Sequence, residues 1–317
     1  MSASPMPCAT SFIFTDEHEM PVTQKILRIA TRPSPQARTQ AQFVADSITR
    51  ENPEVECKLV FVESMGDQRA DVPLHQMAGQ GIFVKEVQRA VLDGRADIAV
   101  HSAKDLPTIT EYGLEIGAWC ARRDARDALI GNSLQQLEQG ATIATGSVRR
   151  RAQLRALRPD LQFVELRGNI GTRLEKVPDG GAVVMAVAAL EVLGLTEKIT
   201  EVLDPEFFVP MVGQGCVAVE HRFGDLETQK IVQSIDHKAT RYAVEIERAF
   251  LGVLGSGCSL PVGAYVNNQN VLTTFLASDD TAQARSISMQ AEVSDEENAT
   301  LIAAQLARTS REQMGRR

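Results

Sequence analysis

Apolar residues along this chain come in short continuous runs, each followed by polar residues and then a longer amphipathic stretch. KILRIAT ends at Arg32-Pro33-Ser34-Pro35, after which QARTQAQFVADSITRE has helical spacing. Ser34 is placed as an N-cap, and Pro35 suits the first helical turn, where a missing N–H costs nothing. CKLVFVES predicts a second strand, and GIFVKEVQRAVLDG a helix with Ile82, Phe83, Val87, Ala90 and Val91 on one stripe. ADIAVHS predicts a strand that runs into Ala103-Lys104-Asp105-Leu106-Pro107. The middle of the chain repeats this grammar. ATIAT leads through Gly146-Ser147 into VRRRAQLRALRP, and LQFVEL leads through Arg167-Gly168-Asn169 into IGTRLEKV. AVVMAVAAL then reads as a strand continuing into a helix.

Strands alternating with helices predict an α/β chain with two parallel sheets. After residue 238 the pattern changes to one helix, a glycine-rich loop, two or three strands turning at Asn267-Asn268-Gln269-Asn270, and a closing helix over 294–309. That reads as a small α+β domain. The expected division is a tail over 1–25, a first domain over 26–120 joined by about 217–236, a second over 121–216, and a third over 237–317.

Composition narrows the function. With 317 residues, 44% of them hydrophobic, the chain can bury several cores. A net charge of −8 argues against a general nucleic-acid surface, and no run approaches a membrane-spanning length. Locally the balance reverses: Arg149, Arg150, Arg151, Arg155, Arg158, Arg167 and Arg173 face only Asp160 and Glu165. The five cysteines (8, 57, 120, 216 and 258) are odd in number and include no C-x-x-C. That argues against a disulfide framework and a metal site and predicts a reducing cytoplasm. The tail lacks a basic or long apolar segment and carries Asp16, Glu17 and Glu19, unlike a targeting peptide.

In open parallel sheets, ligands bind beyond the carboxyl ends of the strands. The rule selects Arg32 and Ser34, Lys104 and Asp105, Ser147, Arg149 and Arg150, and Arg167. Helix N-termini after Ser34 and Ser147 add N–H groups and positive dipole ends that favour carboxylate or phosphate. The physical reading is an arginine-lined anion cleft with one conspicuous acid, Asp105, although an Asp before Leu-Pro also fits an ordinary turn. Arg151, Arg155 and Arg158 read as a solvated helix face. His101 reads as a packed strand residue, and Cys57 and Cys216 as small core residues. Cys258, in GSGCSLPVGA, sits between glycines at a helix exit, a poor place from which to fill a core, though a buried turn thiol also fits.

The blocks RIATRPSP, GQGIFVKEVQRAVLDGRADIAVHSAKDLP, RDARDALI, TGSVRRRAQLRALRPDLQFVELRGNIGTRLEK, VPMVGQGCVAVEHR and ERAFLGVLGSGCSLPVGAY lie in one order from about residue 26. Together they resemble the porphobilinogen deaminase (hydroxymethylbilane synthase) family. The resemblance implies two periplasmic-binding-protein-like α/β domains plus a small C-terminal α+β domain. It implies a dipyrromethane cofactor joined to Cys258 through a thioether. The implied reaction joins four porphobilinogen molecules head to tail into hydroxymethylbilane and releases four ammonia. Each substrate loses its amine to give an electrophilic azafulvene, which the free α-carbon of the terminal pyrrole attacks.

Asp105 matches the family's catalytic aspartate. Ser102, Lys104, Ser147, Arg149, Arg150 and Arg173 match cofactor contacts, and Arg32, Ser34, Arg149, Arg167 and Arg173 match substrate contacts. The resemblance further implies a monomeric cytoplasmic enzyme of haem biosynthesis that hands its product to uroporphyrinogen-III synthase, with no metal, nucleic acid or membrane involved. The chain departs from the family pattern at four places: Gln80 stands for a lysine between glycines, Val192 for an arginine, Ser256 for a glycine, and SPQARTQ for the usual SPLALWQ. One lost bidentate contact weakens binding by about 1.5–3 kcal/mol, which predicts a slower enzyme. The alternative reading is a diverged, non-catalytic tetrapyrrole- or anion-binding protein.

Overall fold

The computed structural model describes residues 25–63, 84–255, 260–279, 281 and 284–315. Cys258, Gln80, Ser256, Ile82, Phe83 and residues 1–24 of the expected tail lie outside the described residues. In the first unit, β1 (Lys25–Thr31) leads into α1 (Pro35–Glu51), followed by β2 (Val55–Phe61), α2 (Lys85–Leu92), β3 (Ile98–Ser102) and β4 (Leu114–Trp119). The chain then crosses to a second unit made of β5 (Asp127–Gly131), β6 (Thr142–Ala144), α3 (Val148–Leu157), β7 (Gln162–Val164), α4 (Ile170–Leu174), β8 (Ala182–Ala186), α5 (Val187–Val192) and β9 (Glu201–Val202). It returns to the first unit for β10 (Val217–Arg222) and α6 (Leu226–Gln233). The last unit holds α7 (Lys238–Leu254), β11 (Val262–Val266), β12 (Val271–Ala277), β13 (Ser286–Glu292) and α8 (Ala299–Gly315).

Local chemistry sets the helix starts. Ser34 is extended (φ −64°, ψ 147°), and its Oγ accepts the Ala37 N–H at 3.3 Å with Pro35 following it. Ala41, Val44, Ala45 and Ile48 then form one buried stripe of α1, packed on Leu27, Ile29, Val55 and Ile98. The closing helix begins later than its pattern predicts because Asp295 accepts the Glu297 N–H at 3.1 Å and holds a turn there.

The first sheet has the order β2-β1-β3-β10-β4 and the second β7-β6-β8-β5-β9. The expectation of two parallel sheets needs correction, for each contains one reversed strand. β10 runs antiparallel to β3 and β4, and β5 runs antiparallel to β8 and β9. The reason lies in how the chain arrives. Val217 opens β10 opposite Ser102, the end of β3, and Asp127 opens β5 opposite Ala186, the end of β8. Each crossing strand therefore enters at the carboxyl edge of its neighbours and must run against them. Both crossings lie on the edges where ligands bind in such sheets.

The third sheet, β11-β12-β13, is an antiparallel meander covered by α7 and α8 through Ile246, Phe250, Leu272, Leu276, Ala299 and Ala303. It docks on the second unit through Phe275, Ala277, Ala152 and Val209. The approach is close. A Cβ on Gly263 would stand 2.7 Å from the Val209 carbonyl, and the Ala264 N–H donates to Pro210 O at 3.1 Å. Among the described residues no helix is long and apolar enough to cross a membrane.

Glu247 of α7 ties all three units together. It is fully buried and accepts from Arg122 Nη1 at 2.6 Å, the Gly213 N–H at 2.9 Å and the Val266 N–H at 3.0 Å. Arg122 lies on the first crossing, Gly213 on the second, and Val266 in the third sheet. Removing the carboxylate strands a buried guanidinium and two amides. Glu247→Ala is expected to cost about 3–5 kcal/mol, measured as a lowered denaturation midpoint; an unchanged midpoint would show that the three units hold together without it.

Candidate functional site

The carboxyl edge of the first sheet presents a short 3-10 turn, Ala103–Asp105, directly after β3. Its position is fixed from two sides. The Ala103 N–H donates to Cys216 O at 2.9 Å on the second crossing, and Ser102 Oγ donates to Gln40 Oε1 of α1 at 2.9 Å. Ala103 and Leu106 are buried, while Lys104 and Asp105 are half-buried at the edge. Behind them, His101 is buried with Nε2 3.1 Å from Glu220 Oε2, and the Gln88 amide donates to both Glu220 oxygens. His101 is thus a packed strand residue, as its pattern predicts. Arg32 and Ser34 leave β1 on the same edge, Ser34 as the α1 cap and Arg32 half-buried.

The second sheet offers the opposing edge. Ser147 caps α3, its Oγ accepting the Arg150 N–H at 3.4 Å. Arg149 and Arg150 follow, only 3% and 9% exposed. Sequence reading places both arginines at the site, and the structure adds a partner that it missed, Asp127. This carboxylate is fully buried and receives Arg149 Nη2 at 2.6 Å, Arg150 Nη2 at 2.6 Å and Gln214 Nε2 at 3.0 Å. Arg149 also donates to Val209 O at 2.6 Å, and Arg150 to Val184 O at 3.0 Å. Burial acts to raise the Asp127 pKa, but Arg149 and Arg150 overcome it and hold the group at about 2. The only sequence signal was an acid opening the apolar run ALI within RDARDALI.

Beyond β7, Arg167 and Arg173 complete the edge. Arg173 Nε donates to Gly168 O at 2.8 Å. Nε and Nη2 of Arg167 are buried without a hydrogen-bond partner, the nearest carboxylate oxygen being Glu165 Oε1 at 3.9 Å. Arg158 is spent on Asp160 and the carbonyls of Leu134 and Leu137, and Arg155 stacks 4.8 Å over Phe163, so neither serves the edge.

The two edges lie within electrostatic reach of each other. Burial pushes the Lys104 ammonium down to about 8, with Asp105 and Asp127 opposing that shift and Arg150 and Arg149 adding to it. Burial likewise lowers the Arg173 pKa, with Arg150 and Arg167 adding to the shift and Asp105 and Glu165 opposing it. A narrow crevice between α1 and α5 connects the edges and is lined by Gln36, Gln40, Ser102, Lys104, Ala188 and Ala189. Val192 closes α5 with an apolar side chain where an arginine would have added charge. Chemically, the arrangement can bind several carboxylates while holding two acids near them, Asp105 and the partly exposed Glu165.

Comparison with family models and with a curated relative points one way. The family model "Porphobilinogen deaminase, dipyromethane cofactor binding domain" matches residues 27–230, and "Porphobilinogen deaminase, C-terminal domain" matches 241–311. A "Probable porphobilinogen deaminase" of Methanopyrus kandleri is 44% identical over 245 residues, spanning 76% of this chain and 82% of the relative. Among solved structures, the methionine-binding protein MetQ aligns with TM-score 0.43 and 14% identity, over 68% of this chain and 92% of its own. A TRAP periplasmic solute binding protein of Desulfovibrio salexigens aligns with TM-score 0.41 and 11% identity, over 69% and 74%.

The Asp127 pair carries a pH signature. Its folded pKa of about 2 lies below the unfolded value of about 3.9. The stabilisation is therefore complete above pH about 4 and is lost as pH falls through about 2. Asp127→Asn is expected to lose about 3–5 kcal/mol at neutral pH, and the gap to wild type should narrow on acidification. Denaturant titrations at pH 7 and pH 3 measure both; a gap that stays constant with pH would contradict the ionic account.

Proposed function

The chain belongs to the porphobilinogen deaminase family and is a hydroxymethylbilane synthase with a dipyrromethane cofactor, and on that premise we propose how its own residues divide the work. The residues present fit such a group. A dipyrromethane carries acidic side arms, and the facing edges offer Lys104, Arg167 and Arg173 together, with two buried donor atoms of Arg167 unmet. When bound, the cofactor supplies the pyrrole α-carbon from which the product grows.

Cys258 is the covalent anchor in this proposal, and it lies outside the described residues. Ser102, Lys104, Ser147, Arg149, Arg150 and Arg173 hold the cofactor's carboxylates; Arg32, Ser34, Arg149, Arg167 and Arg173 orient those of porphobilinogen. A planar guanidinium can grip a carboxylate through two parallel N–H bonds, which fixes its orientation as well as its position. Arg149 and Arg150 have already committed donors to Asp127, so the direct grip falls mainly on Arg167, Arg173 and Lys104. The buried pair supports them with positive potential and whatever N–H groups remain.

Asp105 is the catalytic residue. An acidic group at the edge can accept pyrrole N–H bonds, stabilise positive charge that develops on the ring, and hold a proton near the departing ammonia. Its position in the turn after β3, next to Lys104 and within electrostatic reach of Arg173, is the observation that carries the assignment, since it sets an acid among the groups that hold the substrate. We place the domains at 26–120 with 217–236, at 121–216 and at 237–317, matching the three sheets. A monomer in the cytoplasm, passing its linear product to uroporphyrinogen-III synthase, completes the proposal. The free thiols of Cys57, Cys120 and Cys216 suit a reducing compartment.

Two measurements test the residue roles. The intact mass of protein purified from porphobilinogen-producing cells is expected to exceed the sequence mass by one dipyrromethane, and Cys258→Ser is expected to carry none; an adduct that persists in the variant would move the anchor elsewhere. Asp105→Asn is expected to lower kcat by about 10²–10⁴-fold in steady-state turnover of porphobilinogen, and a wild-type rate would remove Asp105 from the chemistry.

A further inference from the structure

Glu165 stands where the chain's own charge count makes a carboxylate least expected, at the exit of β7 between Arg151 of α3 and Arg167 of the turn before α4. Its Oε2 accepts from Arg151 Nη2 at 3.2 Å, and its Oε1 lies 3.9 Å from Arg167 Nε. It is among the charges felt by Arg173. The side chain also folds down over the turn that precedes α3. A Cβ on Gly146 would stand 2.8 Å from Glu165 Oε1, so this placement depends on a glycine at that turn. The carboxylate therefore sits near the capped N-terminus of α3, where backbone N–H groups favour negative charge.

Glu165 fills this place incompletely. It remains 35% exposed at its side chain, and at 3.9 Å it leaves Nε and Nη2 of Arg167 without a hydrogen bond although both atoms are buried. A ligand carboxylate that reached Arg167 bidentately would satisfy both atoms and would meet Glu165 as a like charge. Two carboxylates cannot share this cluster without repulsion.

We propose that Glu165 is a specificity-determining residue, an internal carboxylate that occupies the Arg151–Arg167–Arg173 cluster and yields to a carboxylate of the substrate. Binding is then an exchange of one carboxylate for another rather than the filling of bare cations. Such an exchange lowers affinity for each carboxylate while keeping the arginines ordered, so a growing chain that must move past them is not held too tightly. Single carboxylates from the surroundings gain little by displacing Glu165, whereas a ligand with two acidic arms can recover the cost at a second arginine. This inference rests on the porphobilinogen-binding roles proposed above for Arg167 and Arg173.

The test compares full-length wild type, Glu165→Gln and Glu165→Asp, each carrying its cofactor. Glu165→Gln is expected to lower KM for porphobilinogen by about three- to five-fold and to steepen the rise of KM with ionic strength. Glu165→Asp, which keeps the charge, should move KM back toward the wild-type value. A KM that is unchanged or raised in Glu165→Gln would overturn the proposal, showing Glu165 to be a prop for Arg151. A second readout is independent of turnover: citrate should raise the melting temperature of Glu165→Gln more than that of wild type, and equal shifts would overturn the proposal as well. Loss of turnover in wild type itself would instead count against the functional reading, leaving the citrate comparison to decide the role of Glu165.

Discussion

The site depends on one fully buried carboxylate being satisfied from both directions. Asp127 opens the strand that crosses into the second sheet, and it meets Arg149 and Arg150 from α3 on one side and Gln214 from the returning crossing on the other. Gln214 also donates to Ala125 O, and its own carbonyl accepts from Arg122 Nε, whose guanidinium is held by Glu247. The result is a continuous polar chain from the third unit, through both crossings, to the arginines at the site. A buried charge left unpaired is expensive, so each member constrains the next. Crossing and binding edge are therefore the same piece of protein.

This arrangement explains how arginines can stand side by side in a dry place. Arg149 and Arg150 are consecutive, nearly inaccessible and mutually repulsive, and a single carboxylate compensates for both while leaving one net positive charge. Arg167 and Arg173 add positive charge on the same edge and Lys104 adds it from across the crevice, against Asp105 and the partly exposed Glu165. Burial is the main cause that depresses the pKa values of Lys104 and Arg173; Arg150 and Arg167 add to it at Arg173, whereas at Lys104 the pull of Asp105 and Asp127 opposes it. An edge of this kind is poorly satisfied until acidic groups arrive, which is the electrostatic counterpart of the carboxylates that porphobilinogen and its oligomers bring.

How much of this could be read from sequence follows from the range of each interaction. The start of α1 was plain because Ser34 caps and Pro35 begins a helix within a few residues, and β8 running into α5 was equally local. The positions of Asp105, Ser147, Arg149, Arg150 and Arg167 at strand exits followed from a general rule about open sheets. Strand direction did not. Nothing near Val217 or Asp127 marks the reversed entry of β10 and β5, because that direction is set by where the chain comes from, a whole unit away. Asp127 was unreadable for the same cause: its meaning arises only when β5 runs against β8 and brings its first residue beside α3. Glu165 entered the charge count as a minus sign, and its place over Gly146 depends on how two exits fold together.

The same geometry limits how the cleft can adjust. Any change in the separation of the two edges must pass through the crossings near 120–126 and 203–216, since no other segment joins the first and second sheets. Those crossings are pinned at Arg122, Gly213 and Gln214 by buried ionic hydrogen bonds, whereas the crevice between α1 and α5 is walled on one side by small side chains, Ala186, Ala188 and Ala189. Small side chains interlock little, so separating them sacrifices few contacts, while opening the Asp127 or Glu247 cluster would strand charges. Separation along the alanine wall would therefore sacrifice less than opening the ionic chain that ties Arg149 and Arg150 to the second crossing. Buried charges hold the arginines and small side chains line the gap, so the fold assigns the two tasks of holding the arginines and bordering the crevice to different residues.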